Sequence, residues 1–262
     1  MTAGPLTGVG VLVTRPAHKS GELSDAIESV GGHPILFPVI DIIPRDDQQI
    51  EADLAGSRDP DIIVFVSPNA VAHGIDWVDC NNAMIAAVGP ATVKTLRSAG
   101  VSVDITPEGR SDSENLLAHE AFSDITGQTI TIVRGVSGRE VLANTLRERG
   151  ASVNYLSVYQ QSPAAPSNDA LKSIEKAWRA GQVDAVMIMS VTSLKNLIEL
   201  LPTYCRGQLQ KTRLVAPSAR VIQTALERIP GATGILSAGP GAKEMTGALI
   251  ASLQSESDTN NG

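Results

Sequence analysis

The sequence predicts an α/β protein made of two similar domains, each a five-stranded parallel sheet flanked by helices. A two-stranded antiparallel β-ladder is expected to link them. Three observations lead there. The segment Val11-Leu12-Val13-Thr14-Arg15 recurs as Ile130-Thr131-Ile132-Val133-Arg134, displaced by 119 residues without a gap as far as Val39 and Val158. Short apolar runs alternate with helical patterns of ten to fifteen residues, which is how parallel sheets with crossover helices are written. Aromatic residues make up only 3% of the chain, so the cores must be aliphatic, as suits Val- and Ile-rich strands covered on both faces.

Taken in order, strands are expected near 9–14, 33–37, 61–66, 83–88, 102–105, 128–133, 152–156, 184–188, 212–215 and 234–236. Helices are expected near 18–30, 48–56, 68–78, 90–99, 112–120, 138–149, 167–180, 190–200, 218–229 and 242–254. The first βαβ unit runs from Val11 through Leu23 to a glycine stop at Gly31; its copy runs from Ile130 through Leu142 to Gly150. Downstream the repeat continues at growing offsets. Asp61-Ile62-Ile63-Val64 matches Asp184-Ala185-Val186-Met187 at 123, and Gly89-Pro90-Ala91-Thr92 matches Pro217-Ser218-Ala219-Arg220 at 128. Ser102 to Pro107 matches Thr233 to Ala238 at 131. A period this long is domain-sized, far beyond a solenoid repeat.

Two extended segments interrupt the alternation. Pro38-Val39-Ile40-Asp41-Ile42-Ile43-Pro44 and Ser157-Val158-Tyr159-Gln160-Gln161-Ser162-Pro163 both end in proline and read as too exposed for core strands. If each leads from one domain to the other, residues 1–38 with 165–262 form one domain and 45–156 the second. Segments 39–44 and 157–164 are then linker strands. A cut into sequential halves near residue 125 is the competing division.

With a net charge of −7, broad electrostatic binding to nucleic acid or an anionic membrane is not expected. No apolar run approaches the roughly 18 residues of a membrane span. The start, Met1-Thr2-Ala3-Gly4-Pro5, lacks the basic and apolar regions of a signal peptide, so a cytoplasmic protein is expected. Cys80 and Cys205 read as free thiols. His18, His33, His73 and His119 are scattered, so no metal site is expected. No G-x-G-x-x-G follows a strand, Gly239-Pro240-Gly241-Ala242-Lys243 lacks phosphate-loop spacing, and there is no G-x-S-x-G elbow.

The candidate binding residues sit where strands end and helices begin, the ligand-binding edge of open α/β sheets. They are Arg15; Ser67 and Asn69; Gly89 and Thr92; Arg134, Gly135 and Arg139; Ser190, Thr192 and Ser193; and Pro217 and Ser218. Each Ser or Thr has a bland reading as a helix N-cap. Taken together, helix N-termini facing one cleft form an anion-binding surface that needs little side-chain charge. Each arginine reads equally as a partner for a ligand carboxylate or as half of a structural salt bridge. Tyr159 has two readings as well: a ring packed over the link, or a phenol facing a cleft and able to donate a proton.

Taken in this order, Val13-Thr14-Arg15-Pro16, Phe65-Val66-Ser67-Pro68-Asn69-Ala70-Val71, Val88-Gly89-Pro90-Ala91-Thr92, Arg134-Gly135, Val158-Tyr159, Ser190 and Pro217-Ser218 resemble the uroporphyrinogen-III synthase family over nearly the whole chain. The resemblance implies two flavodoxin-like α/β domains joined by a two-stranded ladder, and it favours the discontinuous division. It implies a cofactor-free enzyme of tetrapyrrole biosynthesis. The substrate would be hydroxymethylbilane, a linear tetrapyrrole with eight carboxylates, cyclised with loss of water and inversion of the last ring through a spiro intermediate. It places the residue assisting the leaving hydroxyl on Tyr159, and ligand contacts on Ser67, Thr92, Ser190 and Ser218. Where the family often has a Thr-Thr pair, this chain has Ser218-Ala219, which leaves only a backbone contact at the second position. No cofactor and no macromolecular partner is expected, and the protein is expected to be a monomer. The alternative function is an intracellular two-domain binding protein for a small anionic ligand.

Overall fold

The computed structural model describes residues 4–109, 112–138 and 140–260. The chain divides into two compact units, Met1–Asp41 with Ser162–Gly262, and Ile42–Gln161. The first unit contains β1 (Gly10–Val13), α1 (Gly21–Ser29) and β2 (His33–Leu36). After the second unit it resumes with α7 (Asn168–Arg179), β8 (Ala185–Met187), α8 (Val191–Leu200), α9 (Thr203–Gln208), β9 (Arg213–Ala216), α10 (Ala219–Arg228), β10 (Thr233–Leu236) and α11 (Ala242–Asn260). β3 (Ile40–Pro44) enters the second unit, which continues with α2 (Asp47–Leu54), β4 (Ile62–Phe65), α3 (Pro68–Gly74), β5 (Met84–Ala87), α4 (Pro90–Ser98), α5 (Ser113–Leu117), β6 (Thr129–Gly135) and α6 (Val141–Glu148). β7 (Ser152–Pro163) leads out again. No helix among the described residues is long and apolar enough to cross a membrane.

One sheet has the order β10-β9-β8-β1-β2 and is parallel throughout. The other has the order β3-β7-β6-β4-β5, with the pairs among β7, β6, β4 and β5 all parallel. The duplication explains this likeness. β1 is the repeat partner of β6, and β4 that of β8; β1 lies beside β8, and β6 beside β4. Each unit therefore joins the first part of one copy to the second part of the other. A side chain marks the equivalence. Asp184 Oδ2 accepts from the Gly10 N–H at 2.8 Å, and Asp61 Oδ2 accepts from the Thr129 N–H at 2.7 Å, pinning the matching strand start in each sheet. Replacing Asp184 by alanine leaves that strand-edge N–H without its acceptor. It should cost about 1–2 kcal/mol, since the bond is partly buried and the Gly10 N–H is left unsatisfied, read as a shift in the denaturant midpoint.

Period-two alternation sorts the strand side chains onto two faces. In β4, Ile62 and Val64 pack with Ile130, Ile132, Leu142 and Leu146 on one side. Ile63 and Phe65 pack with Ala70, Val71, Leu96 and Val133 on the other. In the first unit Val11, Val13, Ala185, Met187 and Val215 meet Leu23, Ile27, Met245 and Leu249. Their neighbours on the opposite face, Leu12, Val186 and Leu214, are fully buried as well, so both faces of each sheet are covered, as the aliphatic strand composition demands.

Four elements differ from the sequence expectation. The expected strand at 102–105 contributes only one parallel bridge, between Ala86 and Ile105. There the Asp104 and Ile105 N–H groups both point at the Ile85 carbonyl, the Asp104 carboxylate takes the Ile85 N–H, and Pro107 has no N–H to extend a ladder. β3 is the fifth strand of that sheet instead. The segment from Ser157 continues β7 rather than starting a separate exposed strand, and Val158 and Tyr159 are buried. The helix expected over 112–120 is the short α5 followed by a 3-10 turn, Glu120–Phe122. α9, which follows Pro202, was not expected at all.

Candidate functional site

The second unit gathers Ser67, Asn69, Gly89, Thr92, Arg134, Gly135 and Tyr159 where β4, β5 and β6 end and along β7. Ser67 is the N-cap of α3, its Oγ accepting from the Ala70 N–H at 3.1 Å, and Pro68 opens the helix where an N–H would have no partner. Gly89 takes the same place before α4, again followed by proline, and Thr92 is buried one turn on. Asn69 is buried too.

Tyr159 reaches this edge because of a break in register. Arg134 pairs with Ser157, but Gly135 pairs with Tyr159, so Val158 is the extra residue of a bulge. The bulge turns Tyr159 away from the side of Val153 and Tyr155, to pack with Val133 and Leu156. Its ring lies over Gly135, where a Cβ would stand 2.8–2.9 Å from the ring carbons, so only glycine fits beneath it. Its hydroxyl is 3.2 Å from Ser67 Oγ, and the His73 ring is 6.1 Å away, centroid to centroid. Only 7% of the residue is exposed, yet it lines a cavity of about 180 Å³ together with Val66, Val88, Arg134, Ser137 and Tyr155. The ring is packed, and the residue also lines this cavity.

Arg134 is 6% exposed and internally paired. Its Nη1 is 3.0 Å from Glu140 Oε1, its Nε donates to the Gly135 carbonyl at 3.1 Å, and its guanidinium stacks on Tyr155 at 4.6 Å. The Tyr155 hydroxyl donates to the other Glu140 oxygen. That bond and Arg134 hold the Glu140 carboxyl below the usual carboxylate range, while burial, aided by Glu140, pushes the Tyr155 phenol up. Arg147 also stacks on Tyr155, at 5.3 Å. Glu140, Tyr155 and Arg147 were missed by sequence reasoning. Tyr155 was the available signal, since it stands four residues before Tyr159 on the same strand.

The first unit holds the remaining residues. Ser190 caps α8 through the Ser193 N–H at 3.0 Å, and its Oγ lies 2.9 Å from the buried Ser193 Oγ; Thr192 is exposed. Ser218 caps α10 more loosely, at 3.4 Å from the Val221 N, after a half-buried Pro217. Arg15 donates from Nη2 to the Pro240 carbonyl at 2.5 Å, and burial lowers its pKa against the pull of Glu22. Arg139 lies outside the described residues. Among the described residues no group of three or more His, Cys, Asp or Glu side chains could hold a metal ion. Both cysteines are free, and burial raises the Cys205 thiol to about 11, so it stays protonated at neutral pH.

Fold and site define a class: parallel α/β sheets whose strand ends carry capped helix starts, with a tyrosine buried beside a small cavity. Comparison with known proteins gives the family. The profile of the family described as uroporphyrinogen-III synthase HemD matches residues 21–229. Uroporphyrinogen-III synthase of Escherichia coli K12 is 30% identical over 84% of this chain and 91% of its own length. That of Salmonella typhimurium is likewise 30% identical over 84% and 91%. Among solved structures, uroporphyrinogen-III synthetase from Helicobacter pylori superposes with a TM-score of 0.60 at 12% identity, covering 94% of this chain and 99% of its own. A mutant synthase from Thermus thermophilus gives 0.53 at 20% identity, covering 94% and 99%. These two speak for the fold alone. The chain belongs to the uroporphyrinogen-III synthase family and is an enzyme of tetrapyrrole biosynthesis.

Proposed function

We propose that the chain converts hydroxymethylbilane to uroporphyrinogen III, with Tyr159 as the proton donor to the departing hydroxyl. The observation that carries the assignment to Tyr159 is its hydroxyl, held 3.2 Å from Ser67 Oγ on a residue that lines a cavity. The phenol gives its proton to the terminal hydroxyl, and the C–O electron pair leaves with water. The adjoining pyrrole nitrogen feeds electrons into the methylene, giving an azafulvene-like cation. The last ring attacks through its substituted carbon, the spiro product reopens, and closure follows at the inverted position. The proton lost as that ring regains aromaticity restores the phenol.

At about 180 Å³ the cavity lies below the usual volume of a pocket for a drug-sized ligand. It suits one end of a tetrapyrrole, the reacting end, with the rest held outside. Helix starts at Ser67, Gly89, Ser190 and Ser218 would face its carboxylates with backbone N–H groups, so an acidic protein could hold an acidic substrate. Arg15, Asn69, Thr92, Arg134, Gly135, Arg139, Thr192, Ser193 and Pro217 complete the proposed binding set. Gly135 serves it by leaving room for the Tyr159 ring.

In this reading the two units are domains, and β3 and β7 are the linkers between them. Two hydrogen bonds support an antiparallel ladder. The Ala164 N–H donates to the Val39 carbonyl at 3.2 Å, and the Arg45 N–H donates to the Val158 carbonyl at 3.0 Å. Numbers rise on one strand as they fall on the other. The protein would act as a monomer in the cytoplasm, without cofactor or nucleic-acid partner.

The test uses the substrate itself. Hydroxymethylbilane is supplied, the products are oxidised, and isomers I and III are separated by chromatography. Isomer III should dominate. Isomer I alone, as in buffer without enzyme, would refute the assignment.

A further inference from the structure

The geometry points to Glu140 as an internal stand-in for a substrate carboxylate: it pairs with Arg134 and gives way when an acetate or propionate side chain of the tetrapyrrole arrives. The inference rests on the functional reading above and adds a specific competitor to it.

The pair is lopsided. The Arg134 side chain is 7% exposed and the Glu140 side chain 54% exposed. A buried cation left without a counter-charge is costly, so Arg134 needs a carboxylate at all times. A carboxylate that already faces water loses little when it returns there. Exchange of one carboxylate for another therefore keeps the buried charge paired throughout. The backbone shapes the seat as well: a Cβ at Gly138 would lie 2.6 Å from Arg134 Nη2, so the turn closes on the guanidinium and leaves Nη1 as the end turned to Glu140. Arg134, Ser137 and Gly138 line the same cavity as Tyr159. A carboxylate seated on Arg134 would thus sit at the cavity that holds the proposed acid.

Glu140 also has another place to go. It occupies the N-cap position of α6, yet its side chain makes no capping bond. It is turned toward Arg134 and Tyr155 instead. Once displaced, it can turn to the uncapped N–H groups at the start of α6, where a carboxylate is favoured by both hydrogen bonding and the helix dipole. The two positions make Glu140 a two-state element, and its occupancy of Arg134 reduces the fraction of enzyme ready for substrate.

Steady-state kinetics with hydroxymethylbilane on five proteins tests this: wild type, Glu140→Gln, Tyr155→Phe, Arg134→Gln and the Glu140→Gln/Arg134→Gln double variant, each checked by circular dichroism. Glu140→Gln should lower KM about fivefold with kcat within about twofold, because an internal competitor is weakened and the chemistry is untouched. Tyr155→Phe removes one of the holds on Glu140 without touching the charge pair, and should lower KM by a smaller factor. Arg134→Gln should raise KM, and in that background Glu140→Gln should have no further effect, the non-additivity expected of direct partners. A bridge that serves stability only would leave KM unmoved. An unchanged or raised KM in natively folded Glu140→Gln overturns the proposal. If that variant does not fold, an unchanged KM in Tyr155→Phe does so. Isomer I alone from every protein, wild type included, sinks the functional reading and this inference with it. Isomer III from wild type with KM unmoved sinks the inference alone.

Discussion

Tyr159→Phe should form isomer III about 100-fold more slowly than wild type, at the lower end of what a positioned general acid contributes. The ring stays, and with it the packing over Gly135 and against Val133 and Leu156. Only the hydroxyl and its 3.2 Å contact with Ser67 are lost. Stability should therefore change little, since a hydrogen bond of this kind is worth about 1 kcal/mol net. Unaided closure to isomer I continues whatever the enzyme does, so the product mixture should shift toward isomer I as the enzymatic route slows. Rate and isomer ratio measured together check this. A folded Tyr159→Phe protein that turns over at the wild-type rate would remove Tyr159 from the mechanism.

The largest loss of stability is expected from Gly10→Ala. Gly10 begins β1, an interior strand of the first unit's sheet, between β8 and the edge strand β2. A Cβ there would overlap the backbone carbonyl of Gln182, and no rotamer relieves a clash with main chain. β1 would have to move away from β8, straining the bond between the Gly10 N–H and Asp184 as well. The cost should be about 3 kcal/mol, the upper part of the range for over-packing a tight site. In a chain of this size that corresponds to a fall in melting temperature of roughly 6–12 °C. Scanning calorimetry reads it directly; a shift under about 2 °C would mean that the strand start yields easily. Nothing in the sequence marks Gly10 for such a role, because its turn-like neighbour Gly8, with positive φ, is the glycine that local reasoning would choose.

Local pattern was legible where the physics is local. The unbroken apolar run Ile62-Ile63-Val64-Phe65 defined a strand buried on both faces. Ser67-Pro68 and Ser190 announced helix starts, and the Oγ atoms do cap them. Reading failed where a distant partner decides. Val101-Ser102-Val103 has strand composition, yet Ile105 alone makes a bridge there, because side-chain and backbone groups of Asp104 occupy the partners at Ile85. Arg134 was recognised as important, but its carboxylate partner was invisible. Glu140 follows six residues later across a turn, and only the fold of that turn aims the one at the other.

By itself the sequence determined the α/β class, the duplication, the placing of serines at helix starts and the candidacy of Tyr159. These follow from composition, period and residue chemistry within a few positions of each other. The tertiary structure decided which halves of the repeat share a sheet, since pairing β1 with β8 and β6 with β4 joins segments more than a hundred residues apart in one case and more than sixty in the other. It also decided where Tyr159 points. Strict alternation along β7 would put Tyr159 on the side of Val153 and Tyr155. The single extra residue at Val158 moves it to the other side, beside Ser67. A bulge is set by the register between two strands, and register is a property of the pair, so one strand's sequence does not contain it.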